Sequence, residues 1–373
     1  MAELTWDQVR AWRVRRNHLH ERAPRRKLLD VVSDMCAVHA QVQSAAELSL
    51  WARVEDITPK DVRDALWKRR TLTRTWSIRG TLHVHRSTEL PLYAAALGTN
   101  RRWWAGAWLK FVGLSASELD SLLEAIRASL TDRPMSREEL TEKVALRVGP
   151  HVREQLGSGW GTLLKPAAFQ GSLVSGPPRG QNVTFVRPDR WLKKWEPVDG
   201  DEAMREVFRR YLGTFGPSKH AEFAAWWGID PPAGRRVRAS LEDELEGVGV
   251  EGQETWGRPR DVKLIAGIRP DSTVRLLPNF DAYVMGFRPR DQLHDMRFTD
   301  RIFRKGAWIS PVILVEGRAA GVWRYERGKR GIEVAVEPFL RLPQVHRKGI
   351  EDEADRLGAF LDASASVSFA RPG

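Results

Sequence analysis

Residues 41–43 read Gln41-Val42-Gln43, two primary amides flanking one aliphatic side chain. On an extended backbone alternate side chains share a face, so both amides would point one way while Val42 anchors inward. On a helix, residues i and i+2 do not face each other, and the pair could not act together. A side-chain amide accepts and donates hydrogen bonds at fixed positions, so two of them can hold a single water molecule. A polar pair of this shape belongs in a break between regular elements, where binding and catalytic groups tend to be placed.

The flanking sequence supplies such a break. Leu28, Val32, Met35, His39 and Val42 approximate one face at helical spacing, with a helix through Val31 to Val38. Ser44-Ala45-Ala46-Glu47 has the capping-box form that opens a second helix through Leu48, Leu50 and Trp51. Thr58-Pro59-Lys60-Asp61 opens a third, with proline in the first turn. A hairpin is expected from Leu72 to His85, with Leu72, Arg74, Trp76 and Ile78 on one face, Gly80 at the turn, and Leu82 and Val84 continuing the alternation.

The same order recurs. From Ser115 come helices, one opened by the capping box Ser136-Arg137-Glu138-Glu139 and another running from Trp160 toward Phe169. Strands at 171–174 and 182–186 are joined by a polar, mobile tip, 176–181, that carries Arg179. This is the order of a winged helix-turn-helix, in which a helix fits a groove and a basic wing meets backbone. A fainter third repeat has helices at 202–211, 220–227 and 235–245, then a strand at 248–250; the acidic run 242–246 makes its last helix a poor neighbour for phosphates. Beyond Asp261 the pattern turns to strands at 274–277, 282–285, 311–315, 319–323 and 332–336. A helix from Gln344 toward Leu361 and a loose tail from Ala363 complete the chain. The strands predict a small β-barrel or curled sheet. The expected domains are therefore 1–110, 111–197, 198–260 and 261–373.

Composition narrows the partner. The 373 residues carry a net charge of +12, and 47 of the 60 cations are Arg, a mixture suited to forked phosphate recognition. Nucleic acid is the first partner to consider, against a basic surface that is merely solvated. Cys36 is the sole cysteine and sits in an apolar stretch, which argues for a buried thiol and against a disulfide framework or a cysteine metal site. No apolar run is long enough to span a bilayer, and Met1 to Gln8 leads straight into a charged helix rather than a signal peptide. The expectation is a cytoplasmic, nucleoid-associated monomer without cofactor or metal.

Four motifs in series resemble the AlkZ-type, YcaQ-like bacterial winged-helix DNA glycosylases. They are Gln41-Val42-Gln43; Arg74-x-Trp76-x-x-Arg79-Gly80-Thr81-Leu82-His83; Leu276-Leu277-Pro278-Asn279-Phe280-Asp281-x-Tyr283; and Val315-x-Gly317-x-x-x-Gly321-x-Trp323-Arg324. The resemblance implies an α+β fold of three tandem winged helices and a C-terminal β-barrel, arranged as a C-shaped clamp around double-stranded DNA. It implies excision of N7-alkylated guanine, including guanine in interstrand crosslinks, with Gln41 and Gln43 as the catalytic pair. A related branch has Asp at the second polar position; Gln there looks like the antibiotic self-resistance branch associated with azinomycin-type crosslinks.

The chemistry is compatible with amides. Glycosidic hydrolysis usually calls on carboxylates to protonate the leaving group or activate water. N7-alkylguanine is cationic and already a good leaving group, so holding water in line with the anomeric carbon can suffice. A crosslinked base is tethered to the opposite strand and cannot rotate fully out of the duplex, so the site should approach through a groove.

The remaining candidates each have two readings. His83 and His85 flank Val84 on an extended segment and would both point outward, toward DNA, a metal or plain solvent; without a third clustered His or a Cys, metal is disfavoured. Arg74 and Arg79, and Arg101 and Arg102 beside Trp103 and Trp104, are phosphate ligands or cations lying along aromatic surface. Asn279 and Asp281 serve the site or make strand-end turn hydrogen bonds. A winged-helix transcription regulator shares the basic repeats, but it would carry its specificity on a recognition helix rather than in an interhelical break.

Overall fold

Side-chain caps start several of the helices where the sequence places them. Thr5 and Gln8 form a reciprocal capping box at the head of the Trp6–Arg16 helix, as do Ser115 and Glu118 for Ala116–Ser129, and Ser136 and Glu139 for Arg137–Val148. The computed structural model describes residues 2–269 and 273–372. The chain folds into two units, one of residues 1–62, 208–226 and 230–373, the other of 63–207 and 227–229.

In the first unit, Ala2–Leu4 pairs in parallel with Glu246–Val250, which pairs antiparallel with Gln253–Gly257. Leu4, Trp6, Val9, Trp12, Val248, Val250, Val262 and Ile265 close one core over this sheet. Each such large side chain contributes about 1.5–3 kcal/mol of transfer free energy. Phe208, Tyr211, Phe215, Phe223 and Trp226 form a second cluster, with ring centroids 4.6–6.4 Å apart.

The C-terminal part of this unit is a five-stranded sheet, in spatial order Val274–Leu277, Val312–Val315, Arg318–Gly328, Gly331–Pro338 and Ala365–Phe369. Its pairs are antiparallel except the last. Glu316 and Gly317, at φ 51° and 75°, make the tight turn between the second and third strands. The Gln344–Leu361 helix packs on the sheet through Ile350, Ala354, Leu357 and Phe360. The sheet is open, with Val274–Leu277 and Ala365–Phe369 as its edges and no closing pair among the described residues, so the expected barrel is not closed.

The second unit holds the hairpin Leu72–Trp76 and Leu82–Arg86, in the register Leu72↔Arg86 to Trp76↔Leu82. It also holds the Ala116–Ser129, Arg137–Val148 and Leu164–Phe169 helices and a three-stranded sheet. In that sheet Asn182–Val186 lies between Met135–Ser136 and Val174–Arg179.

Several expectations are corrected. The helix before the glutamines ends at Asp34; Cys36, at φ 62°, turns the chain, and Val38–His39 is extended. Ser44 is exposed and caps nothing, because the following helix already starts at Gln43. The acidic run near 242 is a single 3-10 turn after a helix ending at Ala239, and Glu244 takes a forked pair of 2.8 Å bonds from Arg209. Residues 282–286 are a helical turn, since Asp281 accepts from the Tyr283 backbone N–H at 2.9 Å and so caps a helix instead of a strand. The expected loose tail is the parallel edge strand Ala365–Phe369. Much of the expected tip at 176–181 is strand up to Arg179.

Candidate active site

Gln43 is the first residue of the Gln43–Trp51 helix, and Val42 before it is extended, at φ −110° and ψ 117°, with no side-chain cap. The two amides are therefore not equivalent. Gln41 is exposed, whereas Gln43 is half-buried and its Nε2 donates to Glu47 Oε1 at 3.3 Å, one helical turn on. Val42 is only half-buried, so it is not the full anchor its type suggests.

The same helix is fastened at its far end. Ser49 Oγ donates to Asp281 Oδ2 at 2.7 Å, and Arg53 donates through both terminal nitrogens to the Asp281 carboxylate. Neither Arg53 nor Asp281 reaches solvent. Asp281 is thus a brace between the helix of Gln43 and the end of the Val274–Leu277 strand, and it also makes the turn hydrogen bond expected of it.

Phe280, next to this brace, holds φ 59°, a left-handed conformation that costs an aromatic residue about 1–2 kcal/mol and persists only where its surroundings fix it. Its ring stacks on His39 at 5.0 Å and meets Trp308 edge-on at 4.9 Å. Asn279, the half-buried neighbour, lines a cavity of about 500 Å³ with Arg301, Arg304, Trp308 and Arg324. The third and fourth sequence motifs interlock: Tyr283 Oη donates to the Gly317 carbonyl at 2.9 Å, and Trp323 Nε1 donates to the Leu277 carbonyl at 2.8 Å. Their most distinctive residues thus hold the two motifs together, and Asp281 of the third motif ties them to the helix of Gln43.

In the second unit the hairpin is buried on both faces, because Thr73 and Thr75 are as enclosed as Leu72 and Trp76. The outward orientation expected for the histidines is therefore corrected. His83 is 4% exposed, with Nδ1 3.0 Å from the Thr81 carbonyl; His85 is 1% exposed, with Nε2 2.9 Å from Ser77 Oγ and its ring 4.4 Å from Tyr93. Arg74 is half-buried, and desolvation lowers its pKa. Arg79 sits at φ 56° in the turn, also half-buried. Arg101 is exposed and lies over Trp104 at 4.1 Å.

Arg102 has the most suggestive surroundings of the arginines. It lies over Trp103 at 4.2 Å and Phe169 at 5.0 Å, and burial lowers its pKa. Its guanidinium covers Gly80, whose Cβ, if present, would fall 2.7 Å from Nη2; Gly80 is at φ 77° and has no such atom. Lys165 reaches the same glycine, and its pKa is lowered by burial and then by Arg102. The sequence reading missed Lys165, and nothing in its local pattern marks it; only the turn brings it to Arg102. Arg179 is exposed, but its Nη1 donates to both carboxylate oxygens of Glu139, at 2.9 and 3.0 Å, so this cation is already paired within its own unit.

Among the described residues, no three His, Cys, Asp or Glu side chains gather as a metal site, and no helix is long and apolar enough to cross a membrane.

Known proteins match this arrangement along almost its whole length. The sequence model of the DNA glycosylase AlkZ-like family matches residues 32–360, and the chain belongs to that family of DNA glycosylases. It is 33% identical over 366 residues to the interstrand DNA cross-link repair glycosylase of Streptomyces sahachiroi, covering 94% of this chain and 95% of that protein. The solved structure of the Streptomyces sahachiroi DNA glycosylase AlkZ superposes with a TM-score of 0.89 at 31% identity, covering 99% of this chain and all of the other. The reading as a transcription regulator without chemistry falls with this membership.

Proposed function

We propose that this DNA glycosylase hydrolyses the N-glycosidic bond of N7-alkylguanine, including guanine in interstrand crosslinks, with Gln41 and Gln43 positioning the attacking water. The observation that carries the reading is the setting of Gln43. An uncharged amide heads a helix whose far end is locked by a buried ion pair, so the group is oriented without supplying or taking a proton. That suits a leaving group which alkylation has already made cationic. The relative named for cross-link repair supports the substrate class, and the Gln-aliphatic-Gln form supports a role in self-resistance to azinomycin-like agents beside general repair.

The DNA partner is a duplex that keeps its lesion largely stacked. Arg74, Arg79, Arg101 and Arg102 are the phosphate ligands of this reading, with Lys165 added beside Arg102, Arg179 in a secondary role and Asn279 as motif support. The element order of 116–186, helices followed by a hairpin, supports a winged helix there, and the domains 1–110, 111–197, 198–260 and 261–373 extend that organisation. The protein acts as a cytoplasmic monomer. Incubation with duplex carrying one N7-methylguanine or one N7-guanine crosslink, followed by mild alkali, tests the reading. Abasic-site cleavage supports it, and intact strands at high enzyme concentration on both substrates overturn it.

A further inference from the structure

Glu47 is 3% exposed, an unusual place for a carboxylate, and it accepts from Gln43 Nε2 at 3.3 Å. An amide has two ends of almost equal shape, and whichever neighbour is acceptor-only decides which end it meets. Glu47 when ionised can only accept, so it takes the NH₂ end and turns Gln43 Oε1 away. That oxygen is buried and has no hydrogen-bond donor among the described residues. A dry, unpartnered acceptor is costly to keep, and such a cost is kept where the atom is used.

We infer that Glu47 is the positioning residue of the reaction: it fixes the amide of Gln43 so that Oε1 is the acceptor for the attacking water. This rests on the assignment of Gln43 to that water. A water that gives one O–H to Oε1 directs a lone pair elsewhere, toward the anomeric carbon. The carboxylate behind the amide polarises it and makes Oε1 a better acceptor. The capping-box reading of Ser44 to Glu47 would give this glutamate a backbone N–H; the helix starts one residue earlier, and Glu47 accepts from the Gln43 side chain.

The test is a double-mutant cycle under single-turnover conditions, with enzyme in excess over a duplex bearing one N7-methylguanine. Glu47→Gln keeps the size of the side chain but can donate as well as accept, so the amide of Gln43 is free to turn over. The expected result is a rate constant lower by roughly tenfold or more, with duplex affinity within about twofold of wild type, and almost no further loss when Glu47→Gln is added to Gln43→Ala. Additive losses overturn the inference, because Glu47 would then act independently of Gln43. An unchanged rate for Glu47→Gln beside an inactive Gln43→Ala overturns it while leaving the Gln43 assignment intact; full activity in Gln43→Ala overturns that assignment itself. If Glu47→Gln does not fold, Glu47→Asp keeps the charge but shortens the reach, and the same cycle is read with it.

Discussion

Arg53 and Asp281 form a forked ion pair, Nη1 to Oδ2 at 2.8 Å and Nη2 to Oδ1 at 2.7 Å, with both side chains fully enclosed. The pair joins the Gln43–Trp51 segment to a strand end more than two hundred positions away in sequence. Removing one partner of a buried pair leaves a charge with no counterpart, which costs about 3–5 kcal/mol. Asp281→Asn should therefore lower the stability measured by urea unfolding by about that amount. Arg53→Met combined with Asp281→Asn should recover much of the loss, because no unpaired charge is left.

The Arg102 and Lys165 cations around Gly80 predict a salt effect. If both neutralise phosphates, Arg102→Gln and Lys165→Gln should each weaken binding to undamaged duplex and reduce the slope of log affinity against log salt by roughly one. Fluorescence anisotropy at several salt concentrations reads this directly. An unchanged slope removes that residue from the phosphate contacts.

Arg179 should behave differently, because Glu139 already holds it. Arg179→Ala should change the salt slope less than Arg102→Gln does. Glu139→Gln should release the guanidinium and raise duplex affinity. Equal effects of the two arginine substitutions would show that the ion pair opens freely on DNA.

His294 gives the pH prediction. It is fully buried, its ring meets Phe303 edge-on at 5.7 Å, and burial, the largest influence on it, pushes its pKa below the ordinary 6.5. The folded protein therefore resists protonating a group that the unfolded chain protonates as pH falls through about 6.5. Its contribution is fully present above that pH and is lost progressively below it, down to the depressed folded value. His294→Leu should flatten the stability profile between pH 7 and 5 relative to wild type. Parallel profiles would contradict the assignment.

Local signals in the chain were faithful where a side chain acts on its own backbone. The Ser136 to Glu139 box, the Glu316-Gly317 turn and the Gly80 turn all lie where their residue types require. Other signals were not. Ser44 to Glu47 has a capping pattern, but the helix begins one residue earlier and Glu47 turns to Gln43. His83 and His85 alternate like a half-exposed strand, yet the hairpin is covered on both faces, which period alone cannot reveal. Residues 282–285 read as β-branched and aromatic strand until Asp281 is seen to cap them. The motif glutamines were legible because their spacing is unusual for any regular element. Lys165 was not, because its meaning lies in one neighbour across a turn.

The most direct measurement is the single-turnover excision of N7-methylguanine from duplex DNA by wild type, Gln41→Ala and Gln43→Ala, with duplex affinity recorded for each. If the amides position the water, excision should fall by about 10²-fold for Gln43→Ala, with a smaller loss for the exposed Gln41, and affinity should stay within about twofold because neutral amides add little to phosphate binding. Excision at the wild-type rate by Gln43→Ala, or an equal loss of affinity and rate, would contradict the catalytic role of the pair.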